Sequence, residues 1–232
     1  MFIPLHDHNP LVHVRRQYVT LTLIGINIVV FAVFQGAAFG ALADSTTLSF
    51  GLIPAVYSDI RELAPQFAII PEEFTAITYA FLHGGWMHLI GNMLFLWVFG
   101  DNVEDAMGHL RFLIFYILCA VFAGLVHVWA SPTSTAPLVG ASGAVAGIVA
   151  AYLMLHPNVK VWILALGRIP LRIPALWVLG FWILLQFYFL FTDGQSNVAW
   201  WAHIGGLVAG AVLVVFLRRP GVPLFDKEAA GR

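Results

Sequence analysis

Charge is what this chain has least of. Only 10% of its 232 residues are Asp, Glu, Lys or Arg, against 60% hydrophobic, and the mean hydropathy is +0.88. A soluble domain carries about 25% charged residues. A chain this poor in charge cannot cover a globule with polar surface, so it is expected to be integral to a membrane. The formal net charge of -1 supplies no basic field, so no nucleic-acid partner is expected. Cysteine is almost missing too. Cys119 stands alone, which excludes an internal disulfide, and its apolar neighbours read as packing rather than a thiolate site. No H-E-x-x-H is present, which excludes that zinc-protease helix. Nor is there a pair of aspartates on separate apolar segments, since Asp101 and Asp105 fall at one end of a single segment. His6, His8 and His13 precede the first apolar segment without cysteines or a clear ligand geometry, so no metal and no cofactor is expected.

What is there is a series of long apolar runs. A span needs about 20 mostly apolar residues, and six candidates lie at residues 18–41, 86–103, 110–130, 138–156, 174–192 and 198–217. The first is too long for a cleaved signal, whose apolar core is roughly 7–15 residues. The expected fold is an all-α membrane bundle of six transmembrane helices over residues 18–217, with short tails at 1–17 and 218–232. The connectors 131–137, 157–174 and 192–197 are marked by proline, glycine and charge. The longest connector, 44–85, mixes apolar stretches with Asp59, Arg61, Glu62, Glu72 and Glu73, and is expected to lie at the bilayer interface. With the N-terminus inside, Arg15, Arg16, Arg111, Lys160, Arg168, Arg172, Arg218, Arg219, Lys227 and Arg232 are all cytoplasmic, and of the eleven basic residues only Arg61 is outside. Both termini are therefore expected in the cytoplasm.

That orientation puts several polar residues at one depth. His88 and Asn92 fall in the first turns of the second span, Ser142 about one turn into the fourth, and His203 about a turn and a half into the sixth. At 1.5 Å per residue each is roughly 5–10 Å below the outer helix ends. Ser142 alone reads as easily as a small packing residue as a nucleophile. An ionisable His203 inside a span is a functional candidate by default. Beside it, Ala202, Gly206 and Gly210 make a small-residue ridge, and Gly143 and Gly147 make another on the fourth span. Two such ridges let helices approach closely enough for a serine oxygen to meet an imidazole. His88 and Asn92, four residues apart, share a helix face and suit donors to an oxyanion. His83, next to Gly84-Gly85, is expected to support the site from behind, while His109, His127 and His156 read as interfacial side chains.

The chain resembles the rhomboid family of intramembrane serine proteases over essentially its whole length. The resemblance rests on G-A-S-G at 140–143, A-H-I-G-G-L-V-A-G at 202–210, H-G-G-W-M-H-L-I-G-N at 83–92, and Gly100, Glu104 and Gly108 in G-x-x-x-E-x-x-x-G. It implies Ser142 as nucleophile and His203 as general base and then acid. It implies Asn92, His88 and the Ser142 N–H as the oxyanion site, and Glu104 as a structural residue. It also implies that the 44–85 loop is embedded in the membrane and that the aromatic fifth span gates substrate. Two positions depart from patterns seen in some members. Trp-Arg stands nine and eight residues before the position matching His83, where this chain has Phe74-Thr75. A tyrosine stacks on the histidine four residues after the nucleophile, where this chain has Ala146, so the resemblance supplies no residue to orient the His203 ring.

The implied activity is a serine endopeptidase that cuts transmembrane segments of membrane proteins near the outer face through an acyl-enzyme. The substrate would enter from the bilayer, and the expected setting is a bacterial plasma membrane, from the inside-positive bias and the lack of a transit-type leader. Two other readings stand beside it. A relative that binds transmembrane clients without cutting them would be expected to lose the serine or the histidine. A transporter would need a polar path across the whole membrane, whereas these polar residues gather at one end. The oligomeric state is not legible.

Overall fold

The computed structural model describes residues 2–36, 40–193 and 198–225. Residues 37–39 of the first expected span, 194–197 of the last connector, and Lys227 and Arg232 of the C-terminal tail lie outside them. The chain is mostly helical. Strand β1 (Phe2–Asp7) precedes helix α1 (Tyr18–Val30), which runs on through a π-helical turn, Phe31–Gln35. The connector that follows holds three short helices, α2 (Gly40–Phe50), α3 (Pro54–Tyr57) and α4 (Thr75–Thr78), with irregular chain over residues 58–71. Then come α5 (Trp86–Met107), α6 (His109–Ala130) and α7 (Ser142–Leu155), a hairpin of β2 (Lys160–Ala165) and β3 (Ile169–Pro174), and finally α8 (Ala175–Thr192) and α9 (Trp200–Leu217).

By length and apolarity, four helical stretches can cross a membrane: Tyr18–Gln35, His109–Ala130, Ala175–Thr192 and Trp200–Leu217. The other two expected spans differ for physical reasons. Helix α5 carries Asp101, Glu104 and Asp105 in its last turns. Helix α7 has only 14 residues, because residue 138 is already committed to an antiparallel bridge with Leu52 and Gly140 turns the chain at positive φ. Residues 143–152 of α7 are buried without a break. A helix built of Gly, Ala, Val and Ile on every side has no face for water, and this one forms the centre of the bundle, packed by α5, α6 and α9.

The all-α expectation missed a sheet. The 157–174 connector is a β-hairpin, and the N-terminal tail joins it to give the antiparallel order β1-β2-β3. Asp7 ends β1 inside the protein, where it accepts a hydrogen bond from Tyr152 Oη at 2.5 Å. Burial pushes its carboxyl above the ordinary range, with the Tyr152 bond working against that. The sheet thus marks one end of α7, and Ser142 the other. His8 accepts from Trp162 Nε1 at 3.0 Å, and the tail continues to a nest in which the backbone N–H groups of Val12, His13 and Val14 donate to Asp105.

Glu104 holds the same end together. Fully buried, it accepts from the backbone N–H groups of Val19 and Thr20 at 3.0 and 2.8 Å and from Thr20 Oγ1 at 2.7 Å, and His109 Nδ1 lies 2.5 Å away. It satisfies first-turn donors of α1, which has no cap of its own. His109, expected at the interface, is instead this carboxylate's partner. In Glu104→Gln one carboxylate oxygen becomes a donor facing other donors. Thermal unfolding in detergent, followed by circular dichroism, is expected to show a loss of about 3 kcal/mol, in the range for buried charge-assisted bonds.

Candidate active site

Ser142 is the first residue of α7. Gly140 puts it there by taking φ +126°, a conformation that side chains rarely adopt. The turn is held from the 44–85 connector. Gly140 N–H donates to Tyr79 O at 3.0 Å, and Leu52 and Leu138 exchange backbone hydrogen bonds at 3.1 and 2.8 Å. Tyr79 is buried and its hydroxyl donates to the Ala120 carbonyl at 2.7 Å. The 44–85 connector is also tied within itself, Thr78 Oγ1 donating to Phe50 O at 2.6 Å and Thr75 Oγ1 to Glu72 O at 2.5 Å. Being at the helix start, Ser142 has beside it backbone N–H groups with no acceptor in their own helix, and the positive end of the helix dipole.

His88 lies against this turn. A Cβ added to Gly140 would stand 2.6 Å from both Cε1 and Nε2 of His88 and 3.7 Å from Ser142 Oγ. The missing side chain makes room for the imidazole edge beside the turn that carries Ser142. The Gly84 N–H reaches His88 Nδ1 at 3.4 Å. A backbone N–H only donates, so Nδ1 accepts, and the neutral ring carries its proton on Nε2. The His88 edge facing Gly140 is therefore a hydrogen-bond donor. His83 packs edge-on to it, ring centres 5.1 Å apart, and the His83 backbone N–H donates to Gln35 Oε1 at 2.8 Å. Asn92 is one turn further along the His88 face of α5, buried, and its Nδ2 has no partner among the described residues. Leaving a buried amide donor unmade costs about 1–3 kcal/mol.

His203 comes from α9, which meets α7 backbone to backbone. A Cβ on Gly206 would fall 1.9 Å from Gly143 O, one on Gly210 2.1 Å from Gly147 O, and one on Gly143 3.6 Å from Ala202 O. Ser142 and His203 thus flank the same crossing, each next to a residue in that contact. Cys119 fits the packing role, its Sγ standing where a Gly147 side chain would begin. The His203 ring is partly buried. Its Nδ1 lies 2.8 Å from Gln186 Oε1, Trp182 stacks on it at 6.2 Å and 30°, and Trp200 meets it edge-on at 5.7 Å. His127, expected at the interface, instead turns a buried Nδ1 inward.

A family model for the Rhomboid domain matches residues 71–220, which take in Ser142, His203, His88, Asn92 and Glu104. The chain belongs to the rhomboid family. Among curated rhomboid proteins it is 31% identical over 158 residues to Rhomboid protease GluP of Bacillus subtilis, covering 68% of this chain and 28% of that protein. It is 29% identical over 162 residues to RHOMBOID-like protein 12, mitochondrial, of Arabidopsis thaliana, covering 62% and 46%. With Rhomboid-like protease 3 of Toxoplasma gondii the figures are 26% over 156 residues, 67% and 56%. The chain thus spans between about a quarter and just over half of these rhomboid relatives. Their printed names and organisms include mitochondrial and bacterial proteins, so these relatives do not support the expected bacterial plasma membrane. Two residues at this rhomboid site were not singled out from the sequence, Gln186 and Tyr79, while Trp182, expected only as one of the aromatics of the substrate-gating fifth span, stacks on the His203 ring. Only Gln186 had a usable signal, a lone amide in an otherwise apolar segment.

Proposed function

We propose that this rhomboid is an intramembrane serine endopeptidase. The observation that carries the reading is that Ser142 opens α7 at the Gly140 turn, against which the His88 ring lies, and that α7 is crossed at backbone contact by the helix bearing His203. Six helices (α1, α5, α6, α7, α8 and α9) would form the membrane domain over residues 18–217, with the 44–85 loop at the outer interface. The sheet end, with both tails, would face the cytoplasm. The bilayer and the transmembrane segments of membrane proteins are then its partners, and no cofactor is required.

His203 takes the Ser142 proton as the oxygen attacks a peptide carbonyl, and the carbonyl oxygen gains a negative charge. The His88 Nε2–H, the Asn92 amide and the N–H groups at the start of α7 are the donors to that charge. His203 then gives its proton to the departing amine, leaving an ester on Ser142. Water, activated by the same imidazole, attacks that ester, frees the new carboxyl end and restores the serine. Water can arrive because the site is at the outer end of the bundle. A substrate helix must open locally, so cleavage is expected near helix-weakening residues.

Asn92→Ala is expected to lower kcat for a transmembrane substrate about 10²–10³-fold with little change in KM, the usual scale for one oxyanion donor. The reading itself is tested by treating the folded protein in detergent with a fluorophosphonate and mapping the adduct by mass spectrometry. The expected result is one adduct, on Ser142, lost when the protein is heated first. A folded protein that takes up no probe and leaves a transmembrane substrate intact would sink the proposal in favour of client binding without cleavage.

A further inference from the structure

Gln186 makes two hydrogen bonds that together fix a proton elsewhere. Its Nε2 donates to the Trp182 carbonyl at 2.9 Å, and its Oε1 lies 2.8 Å from His203 Nδ1. A backbone carbonyl only accepts, so the amide nitrogen must face Trp182 and the amide oxygen must face His203. An amide oxygen also only accepts. His203 Nδ1 therefore carries the proton, and in the neutral ring Nε2 is left with the free lone pair that a general base needs. We infer that Gln186 is a positioning residue for His203, holding it in the tautomer that can take the Ser142 proton. The inference rests on the protease reading for its consequence, and on the two hydrogen bonds for its geometry.

The surroundings of Gln186 point the same way. Of the four long apolar helices α8 is the least embedded, with 22% of its span buried against 44% for α9. Its buried residues are Ala175, Val178, Leu179 and Gln186, and Gln186 is the polar one among them. A bare amide in an apolar span is expensive unless its bonds are made. Here one bond is local to α8 and the other crosses to α9. Trp182, one turn away on α8, stacks on the same ring. Helix α8 thus supplies both a hydrogen bond and a face to the imidazole, which the packing of α7 on α9 through Ala146 does not. Any shift of α8 away from α9 would release the ring.

The test uses the full chain with two variants. Gln186→Met keeps the length and removes the acceptor, whereas Gln186→Glu keeps an acceptor at the same reach. Positioning predicts that Gln186→Met lowers kcat and the rate of fluorophosphonate labelling about 10–10²-fold with KM within about twofold, a milder loss than an orienting carboxylate gives. Gln186→Glu is expected to retain most of the labelling rate. A merely structural role predicts the reverse, since a methionine suits an apolar helix better than a carboxylate does. Nitrogen-15 shifts of the His203 ring provide a readout independent of turnover: Nδ1 protonated in wild type, and a mixture with the Nε2-protonated form in Gln186→Met. Wild-type kcat in Gln186→Met, or an Nε2-protonated ring in wild type, would overturn the inference. A wild type that fails to label but shows the Nδ1-protonated ring would sink the protease reading and leave the hydrogen-bond assignment standing.

Discussion

Ser142→Ala is expected to bring cleavage of a transmembrane substrate to background, a loss of at least about 10³-fold, and to abolish fluorophosphonate labelling altogether. His203→Ala is expected to do nearly the same, although its serine oxygen is intact. A serine hydroxyl is a weak nucleophile until a base takes its proton. The two changes are expected to be non-additive. Once either partner is gone, removing the other costs little, because they act as a unit. Neither should unfold the protein. Ser142 occupies a helix start that alanine tolerates, and α9 is held by its glycine contacts with α7 rather than by the imidazole. Thermal midpoints within a few degrees of wild type, beside lost turnover, are the expected pair of measurements. A His203→Ala variant that still labelled at near wild-type rate would mean that some other group activates Ser142, and His88, at the Gly140 turn, would be the first to examine.

The sequence made the helices legible because membrane segments announce themselves by composition, and it made the crossing of α7 and α9 legible because small residues recur every four positions on both. It hid the sheet. The strand I-P-L-R-I-P and the tail F-I-P-L-H-D have no clean alternation and contain proline, and the tail pairs with a strand, Lys160–Ala165, at the far side of the chain. It also overstated α7, because 138–141 are as apolar as the helix that follows. Only the bridge from Leu52 and the positive φ of Gly140 show that these residues are a turn. The orientation of the His203 ring was closed to sequence reasoning in a different way. Ala146 leaves the fourth span without a ring to stack on His203, and the side chains that meet the imidazole, Gln186 and Trp182, come from α8. Which side of an apolar helix faces inward cannot be read when both sides are apolar, and α8 is aromatic all round.

The ridge where α7 meets α9 gives the other large effect. Gly206→Ala adds one carbon, placed 1.9 Å from Gly143 O and 2.8 Å from Gly143 C. Both are backbone atoms of a buried helix, so no side chain can turn aside, and α9 itself must move. Overpacking of this kind costs about 1–3 kcal/mol, at the upper end where backbone meets backbone. The effect on chemistry should exceed the effect on stability. His203 is one turn from Gly206 on the same helix and Ser142 is next to Gly143, so the displacement falls directly between hydroxyl and imidazole. A misplacement of about 1 Å can cost about 10²-fold in rate. The expected result is a lowered thermal midpoint with labelling slowed about 10²-fold. Gly180→Ala on α8 is the matched control. An added Cβ there meets nothing within 4 Å, so the same chemical change in a helix interior should leave labelling unaltered and raise stability by up to about 1 kcal/mol, the difference in helix propensity. If both variants behaved alike, the glycines of α9 would be incidental, and the close approach that brings Ser142 and His203 to one crossing would have to be held by something else.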